Sequence, residues 1–402
     1  MKYIKLYRFL DLYIGIIACF ILTMFRFIFS PFSHPSSCDD RILFIELSEM
    51  GSTILAYPAI QAVLAKRPGA EVYFLTFARN RSGVETLDLF DEEHILTMRD
   101  DTLVGLFTDF LRLTGSYRRI RFTACIDLEL FSRFSVMLTY FSGAGRRVGF
   151  HNYTGEGLYR GDLLTHKVLY NPHIHISRNF LALAGATTTD EIERPLFKGA
   201  LGDIVLQPPI MHFDDSRLAD YRVRFCSDGP CVVVNPDSGP ALPLRNWGIE
   251  RYIEVIDLLV AEIDATVVLV GTDISAASAA EIVGRAAHPE KIQNMTGATE
   301  TIRDLIHLIE AADLFLTNDS GPGHFAALTD TPTFVFFGPE TPALYGPIGE
   351  NCRTLYSGYA CSPCLTAANH RQSACTRSRC LEAITPRAVA NQLEMALSSN
   401  SV

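Results

Sequence analysis

The chain has 402 residues, of which 48% are hydrophobic and 20% are charged, a composition typical of folded rather than disordered proteins. This length allows two domains of ordinary size, each with its own hydrophobic core. The formal net charge is -10 and no long run of Lys or Arg occurs. A nucleic-acid partner is therefore excluded, because such binding depends on neutralising phosphates.

The first thirty residues are more apolar than the rest of the chain. Three basic residues precede an apolar block, residues 12–25, that is bounded by Asp11 and Arg26. About 20 apolar residues are needed to cross a bilayer, so a spanning helix would need both charged residues at the interfaces. A helix lying in one leaflet fits equally well, whereas a signal peptide would require a small-residue cleavage site that is not evident. We predict that residues 1–37 form a membrane anchor and a linker, and both helix orientations stay open.

Short apolar runs then alternate with segments of helical spacing. Strands are predicted at "RILFIEL", "EVYFLTF", "RIRFTACIDLEL" and "RRVGF", and helices at "TILAYPAIQAVLAKR", "TLVGLFTDFLRLTG" and "FSRFSVMLTYFSG". Strands separated by helices indicate βαβ units and a parallel sheet.

The same alternation restarts after a segment of weak periodicity, residues 195–230, which is the candidate junction. It runs through "CVVVNP", "GIERYIEVIDLLVAEI", "TVVLVG", "AASAAEIVGRAA", "TIRDLIHLIEAA", "DLFLTN", "GHFAAL" and "TFVFFG". The predicted fold class is therefore α/β, with two doubly wound domains at residues 38–200 and 201–402. The helix "PRAVANQLEMALSS" closes the second domain.

The stretch "NDSGPGH" follows a predicted strand, at the end where doubly wound sheets bind their ligands. Its glycines would let the backbone approach a ligand, and the N–H groups opening the next helix can hold an anion. Asp319 can accept hydrogen bonds from sugar hydroxyls, and His324 can donate one to a phosphate. The alternative is an ordinary turn in which Asp319 caps the helix.

Two further loops follow predicted strands of the second half. In "VVVNPDSGPALPLRNW", Arg245 is a candidate phosphate ligand, since its fork suits oxyanions, while Trp247 is expected to pack in the core. The run "VLVGTD" ends with Thr272 and Asp273, which are placed to bind ribose hydroxyls. An ordinary helix cap is the alternative for this second loop.

These stretches together resemble glycosyltransferase family 9, the heptosyltransferase-like group. The family carries an "SxxGD…PA" loop, an "NPG…W" loop and "TNDSGPMHLAAALGTPTVALFGPT". This sequence has "SEMGSTILAYPAI" at residues 48–60, "NPDSGPALPLRNW" at 235–247 and "TNDSGPGHFAALTDTPTFVFFGPETP" at 317–342. The resemblance extends from residue 41 to the C-terminus, and its last motif is long and specific.

The resemblance implies a GT-B fold, with two Rossmann-like domains and a cleft between them. It implies inverting transfer of a sugar from a nucleotide-sugar donor, independent of metal and without a catalytic cofactor. The donor would lie against the second domain, where Asp319 and His324 would contact its sugar and phosphates and Arg245 would offset their charge. The pyrophosphate would lie on the backbone of a short segment that includes Ser320, Gly321 and Gly323.

The first loop departs from the family pattern. An Asp that resembles a general base follows the family's Gly, whereas here Ser52 follows Gly51. A Ser cannot take a proton at neutral pH without help, but Glu49 in the same loop can. We therefore predict Glu49 as the catalytic base and Ser48, Gly51 and Ser52 as an acceptor-side loop, with Ser52 capping the helix "TILAY". A surface acid is the alternative interpretation of Glu49.

Asp127 and Glu129, at the end of another strand, are the next candidates for the base. A non-catalytic homologue that binds glycan or nucleotide is an alternative function, favoured by Ser52 at the expected base position. A GT-B nucleotide-sugar epimerase is a second alternative and would need another acid or base in the cleft.

Four cysteines near the C-terminus have the spacing C-x2-C-x10-C-x4-C. This spacing suits a structural zinc site formed by Cys361, Cys364, Cys375 and Cys380. Disulfides or unliganded thiols are the alternatives. The other cysteines, including Cys19 and Cys125, are interpreted as small core residues.

The combined prediction is a membrane-attached glycosyltransferase whose acceptor is a lipopolysaccharide or a lipid-linked glycan. Nucleotide sugars are generally cytosolic, so the catalytic domain should face the cytosol at the inner membrane. The anchor would raise the effective concentration of enzyme and acceptor at the same surface.

Overall fold

The computed structural model describes residues 4–29, 40–152, 158–189, 198, 201, 204–226, 229–239 and 242–399. The chain divides into two compact units, Met1–Gln207 and Pro208–Val402. This division falls inside the segment that was identified as the candidate junction. The linker predicted after the N-terminal helix lies outside the described residues.

Unit 1 contains a six-stranded parallel sheet with the order β3-β2-β1-β4-β5-β6. Its strands are β1 Arg41–Ile45, β2 Glu71–Phe77, β3 Ile95–Met98, β4 Ala124–Asp127, β5 Arg146–Phe150 and β6 His166–Val168. Its helices are α1 Ile4–Phe9, α2 Gly15–Phe29, α3 Ser52–Lys66, α4 Arg81–Glu85, α5 Leu103–Ile120, α6 Arg133–Phe141 and α7 Ile176–Ala186. A π-helical turn, Leu10–Ile14, joins α1 to α2, so these elements form one continuous helix.

Unit 2 contains a second six-stranded parallel sheet, with the order β12-β11-β10-β7-β8-β9. Its strands are β7 Cys231–Asn235, β8 Thr266–Leu269, β9 Ile292–Asn294, β10 Leu314–Asn318, β11 Thr333–Phe337 and β12 Cys352–Tyr356. Its helices are α8 Asp215–Phe225, α9 Ile249–Ile263, α10 Ala276–Arg285, α11 Ile302–Ala311, α12 Gly321–Phe325, α13 Pro342–Tyr345, α14 Arg379–Glu382 and α15 Pro386–Ser399.

The central strands are buried on both faces, which explains their nearly unbroken apolar sequences. In β7 the side chains of Val232 and Val234 share a core with α9 and α15, whereas Val233 belongs to a second core with α8 and α11. Neighbouring strand residues point to opposite faces, so one run of valines serves both helical layers. The predicted pair of doubly wound domains is confirmed.

The edge strands were not predicted. The strands β6 and β9 have only three residues each, which is too short for an apolar pattern to be recognised. In β12 only Leu355 is buried, so this strand also lacks an apolar run. Helix α8 was also missed. It lies within the weakly periodic segment, and Phe225 is its one buried residue.

Trp247 packs in the core, as predicted. Its ring stacks on Phe336 with centroids 4.2 Å apart, and its indole N–H donates to the carbonyl of Ile384 at 2.9 Å. Cys19 and Cys125 are buried free thiols, which confirms their interpretation as core residues. For another pair that interpretation was wrong, because Cys226 and Cys231 form a disulfide.

The N-terminal helix contains an apolar stretch, Leu6–Ile28, of 23 residues with a mean hydropathy of 1.9. By length and composition this stretch is sufficient to cross a membrane, although buried helices and signal sequences meet the same criterion. The helix packs on α6 of unit 1.

Candidate functional site

The candidate donor site of unit 2 lies where β7, β10 and β11 end. Thr317 pairs with Asn235 and Asn318 pairs with Phe336, so the carboxyl ends of these three parallel strands are level. The loops that follow carry Arg245 after β7, Asp319 after β10 and Glu340 after β11. This is the edge at which open α/β sheets bind their ligands.

The turn between β10 and α12 does not have the simple cap that was the alternative for Asp319. The cap position belongs to Ser320, whose backbone is extended and whose hydroxyl donates to the carbonyl of Asn318 at 3.2 Å. Asp319 instead points at Arg245, and only 4% of its surface is exposed. His324, within α12, is also buried.

Gly323 allows α12 to sit directly on the sheet. A β-carbon at this position would lie 3.3 Å from both Thr317 Cγ2 and Val335 Cγ2, which is closer than packed side chains usually approach. The space beneath α12 is therefore filled by β10 and β11. This glycine serves helix–strand packing.

Arg245 is held between two carboxyl groups. Its Nη2 lies 2.7 Å from Glu340 Oε2, and its Nε lies 3.3 Å from Asp319 Oδ2. Its Nη1 also donates to the backbone carbonyl of Asp319 at 3.3 Å. The residue predicted as a phosphate ligand thus has its charge compensated by neighbouring acids.

Local hydrogen bonds fix the loop that carries Arg245. Asn246 Oδ1 accepts from the amide and hydroxyl of Ser238 at 2.7 and 2.6 Å, and Asn318 Oδ1 accepts from the Trp247 amide at 2.9 Å. Asp237 accepts from the Gly239 amide at 2.9 Å. Arg245 therefore extends from a loop that is anchored both internally and to β10.

Sequence reasoning missed Glu340 and Arg371. Glu340 is 1% exposed, and its Oε1 lies 3.3 Å from Arg371 Nε. The guanidinium of Arg371 also lies over the ring of Tyr345, 5.3 Å from its centroid. Glu340 was within the quoted "GPETP", directly after a strand, so the rule about strand ends was sufficient to find it.

The acids of this cluster hold protons more tightly than usual. Burial raises the pKa of Glu340 to about 7, against the opposing effect of Arg245 and with a further increase from Asp319. Burial also raises the pKa of Asp319, while Arg245 opposes that increase. The pKa of each acid is thus raised by burial and opposed by the guanidinium of Arg245 that both acids contact.

Thr272 and Asp273 lie after β8, on the far side of β7 from β10. Both are exposed, and Thr272 makes no side-chain cap to the turn Asp273–Ser275. Asp273 lies against Gly297, where φ is +76° and a β-carbon would contact the carboxylate. The structure places this pair on the same edge of the sheet as the Arg245 cluster but on a separate strand.

In unit 1 the loop after β1 is held by an acid from the end of β4. Glu129 Oε1 accepts from the amides of Leu47 and Ser48 at 2.9 and 2.8 Å and from the Ser48 hydroxyl at 2.8 Å. Burial raises its pKa, although the hydrogen bonds from Ser48 oppose this. Because Glu129 already accepts these hydrogen bonds from the loop, it is better suited to positioning the loop than to taking a proton from a substrate.

Asp127, the other reserve candidate, is fully buried. It pairs with Arg160 and accepts from the Ser135 hydroxyl at 3.0 Å. Burial raises its pKa, and the charge of Arg160 opposes that shift. Asp127 therefore organises the interior of unit 1.

Glu49 is half-buried and accepts a hydrogen bond from the Ser52 hydroxyl at 3.1 Å. The prediction that Ser52 caps α3 was wrong, because Gly51 occupies the cap position and Ser52 is the first helical residue. Gly51 has helical backbone angles, φ −65° and ψ −27°, so the helix begins earlier than its sequence indicates. The Ser52 hydroxyl is thereby directed to Glu49.

The C-terminal cysteines line a segment that packs on the loop after β11. The amides of Cys364 and Leu365 donate to the carbonyl of Pro339 at 2.8 and 2.9 Å. Within the described residues, which include all four cysteines, no three His, Cys, Asp or Glu side chains are grouped closely enough to hold a metal ion. The zinc site is therefore not formed in this structure and stays a prediction for metal analysis of the purified protein.

Comparison with known proteins identifies relatives for both units. The sequence profile of glycosyltransferase family 9 (heptosyltransferase) matches residues 110–374. Lipooligosaccharide heptosyltransferase 2 of Campylobacter jejuni is 32% identical over 113 residues, 27% of this chain and 33% of that protein. Lipopolysaccharide heptosyltransferase 2 of Salmonella typhimurium is 30% identical over 165 residues, 40% of this chain and 45% of that protein. The aligned segments thus span less than half of either relative.

The fold has a solved counterpart. The structure of the Escherichia coli ADP-heptose lps heptosyltransferase II superimposes with a TM-score of 0.69. The superposition covers 90% of this chain and 100% of that one, at 20% sequence identity. At this identity the similarity establishes the fold and leaves the substrates open.

Proposed function

The chain belongs to glycosyltransferase family 9, and from this premise we propose that it transfers a sugar from a nucleotide-sugar donor to a lipopolysaccharide or lipid-linked glycan, with inversion at the anomeric carbon. The observation that carries the proposal is the buried Asp319 at the end of β10, beside a glycine-containing turn. Asp319 is paired with Arg245, and a buried ion pair at the edge where open α/β sheets bind their ligands supports a binding role.

On the donor side, Asp319 accepts hydrogen bonds from the sugar hydroxyls. His324 donates to the phosphates, and the backbone of Ser320, Gly321 and Gly323 lies against the pyrophosphate. Arg245 orients Asp319, because its guanidinium is already engaged by two carboxyl groups. Thr272 and Asp273, exposed at the end of β8, bind the nucleoside ribose.

On the acceptor side, Glu49 is the general base. Inverting transfer requires a group that takes the proton of the acceptor hydroxyl as that oxygen attacks the anomeric carbon. The Ser52 hydroxyl donates to Glu49 and keeps the carboxylate oriented, while Glu129 holds the loop through Ser48. These roles use side chains and backbone alone, and the scheme assigns no step to a metal ion.

The acceptor class is proposed from the relatives, two of which carry lipopolysaccharide or lipooligosaccharide heptosyltransferase in their names. A lipid-borne acceptor and a cytosolic nucleotide sugar meet at the cytosolic face of the inner membrane. The apolar N-terminal helix of unit 1 supports this location.

A non-catalytic binding homologue is the second candidate, because Ser52 stands where the family has an Asp. Incubation of the full-length protein with a panel of nucleotide sugars, including ADP-heptose, separates the two. We expect nucleotide release that requires a lipopolysaccharide-core acceptor. Donor binding without release in any acceptor combination would establish the second candidate instead.

A further inference from the structure

The N-terminal helix α1–α2 turns small and polar residues towards unit 1 and exposes large apolar side chains. A helix on the surface of a water-soluble domain has the reverse arrangement. The face against unit 1 is built from small and polar residues, with Gly15, Cys19 and Thr23 buried at four-residue intervals. Intervals of four residues place side chains on one side of a helix. Most of its bulky apolar side chains lie on the other sides, whereas Leu22 packs against unit 1.

Polar contacts fix both ends of this helix to unit 1. Near its start, Asp11 Oδ1 accepts from the amide of Phe134 at 2.8 Å and from the hydroxyl of Ser132 at 3.2 Å. Near its end, Arg26 pairs with Asp162 at 2.8 Å. These attachment points are about 22 Å apart along the helix axis.

Between these points the helix backbone touches its neighbours closely. A β-carbon at Gly15 would lie 2.7 Å from Arg133 Cβ, and one at Gly161 would lie 2.8 Å from the carbonyl oxygen of Cys19. Thr23 Oγ1 accepts from the amide of Asp162 at 2.9 Å. The helix is therefore docked on unit 1 from Asp11 to Arg26.

The outward faces expose a continuous series of large apolar side chains. More than half of the surface of Ile17 and Phe20 is exposed, at 60% and 54%. The other exposed members are Leu6, Phe9, Tyr13, Ile14, Ile21, Met24, Phe25, Phe27 and Ile28. An amphipathic helix in water buries such residues against its domain, so this arrangement indicates an apolar surrounding medium.

Helix α5 has a second exposed apolar side. It packs on α6, as the N-terminal helix does, through the ring of Phe110 against Phe141. Its outward side exposes Leu103, Val104, Phe107 and Leu111. Further along the same helix, Arg118 and Arg119 are exposed and basic.

We propose that α1–α2 and the exposed apolar side of α5 form a membrane-binding surface that lies in the plane of one leaflet. A helix crossing the bilayer would have to pull Asp11 and Arg26 away from their partners or carry those partners into hydrocarbon, and both are costly. The exposed arginines of α5 complement anionic lipid headgroups. Lipid is the occupant that matches both the apolar side chains and these arginines.

This inference rests on unit 1 alone and does not depend on the sugar-transfer reaction. Failure of the membrane surface would leave the proposed activity intact, and loss of activity would leave the membrane surface intact. Lipid binding and nucleotide release are therefore measured separately.

Flotation of the full-length protein with vesicles of phosphatidylethanolamine and phosphatidylglycerol tests the surface. The double variant Ile17→Glu, Phe20→Glu should lose about tenfold or more in vesicle binding, because it replaces two apolar lipid contacts with charged groups. Its thermal stability should be unchanged, since both side chains are exposed. Val223→Glu, at an exposed apolar position of α8, is the matched control.

Depth measurements distinguish an in-plane helix from a spanning one. The protein has a single Trp, the buried Trp247, so Phe9→Trp, Phe20→Trp and Phe27→Trp each add one fluorophore at the outward surface. Lipids brominated at different acyl positions should quench all three at the same shallow depth. A deep maximum at position 20 would overturn the proposal, as would unimpaired flotation of the double glutamate variant or dimerisation with no quenching by any lipid.

Discussion

The side chains of Arg371 and Glu340 lie 3.3 Å apart, and this contact joins the cysteine-rich segment to the loop after β11. Glu340 is also 2.7 Å from Arg245, which in turn reaches Asp319. One buried carboxyl group therefore connects three separate loops of unit 2. Replacing Glu340 would therefore remove a contact from Arg245 and from Arg371, and through Arg245 it would affect Asp319.

Replacement of Glu340 by Gln should change how stability depends on pH. In the folded protein burial raises the pKa of this carboxyl group from 4.5 to about 7. Between those values the unfolded chain releases the proton and the folded chain keeps it, so the free energy of unfolding falls as pH rises. The difference in melting temperature, wild type minus Glu340→Gln, should therefore be more positive at about pH 5 than at about pH 8.

The matched control for this measurement is Glu254→Gln, which removes an exposed acid of the same unit. Its pH profile should parallel that of the wild type. A constant difference between Glu340→Gln and the wild type across this window would mean that Glu340 ionises normally in the folded state.

Replacement of Asp319 by Ala should weaken binding of the sugar nucleotide more than binding of the free nucleotide. The carboxylate accepts hydrogen bonds from sugar hydroxyls but repels a diphosphate, so its loss acts on the two ligands in opposite directions. His324→Ala should weaken both. Calorimetric titration of each variant, with Asp330→Ala as an exposed control, measures these affinities. Donor affinity equal to wild type in both variants would place the pocket elsewhere.

Replacement of Glu49 by Gln should lower turnover by ~10²-fold or more with donor affinity little changed, because general-base loss acts on the chemical step. Ser52→Ala should cost much less, since it removes one hydrogen bond to Glu49 and keeps the carboxylate. Steady-state rates with the released nucleotide as readout measure both effects. The exposed Glu93→Gln is the control, and near-normal turnover in Glu49→Gln would remove this residue from the mechanism.

Replacement of Gly323 by Ala should destabilise unit 2 by roughly 1–3 kcal/mol, the usual scale for overpacking. The added methyl group would meet Thr317 and Val335 at 3.3 Å in a buried site. Gly284→Ala in α10 is the control, because a β-carbon there meets nothing within 4 Å. That variant should gain up to about 1 kcal/mol from helix propensity. Equal melting temperatures for the two variants would contradict the packing role.

The buried strands and the long helices were predictable because each carries its own pattern. The four consecutive apolar residues of β11, Phe334–Phe337, and the regular spacing in α9 are local signals that the sequence itself carries. The edge strands lack such signals, since β9 has three residues and only Ile292 is buried. Their identity as strands comes from pairing with a neighbour.

In the candidate site, too, some residues could be predicted from a local sequence motif and others could not. Asp319 and His324 were identified from one contiguous motif, whereas the ion pair of Glu340 with Arg371 joins loops that are distant in sequence. No local pattern relates those two positions. The start of α3 was misjudged for a related reason, because Gly51 belongs to a loop whose partner, Glu129, is distant in sequence.

The docked N-terminal helix has a consequence for the order of events during synthesis. Thr23 bonds to the amide of Asp162, a residue 139 positions later in the chain. At 5–20 residues per second, roughly seven to thirty seconds pass on the ribosome before the helix can find that partner. The bilayer, or a chaperone that recognises apolar segments, is thus the first surface the nascent helix meets. Under the in-plane proposal the ribosome would be brought to the membrane early, and unit 1 would assemble there against a helix already in place.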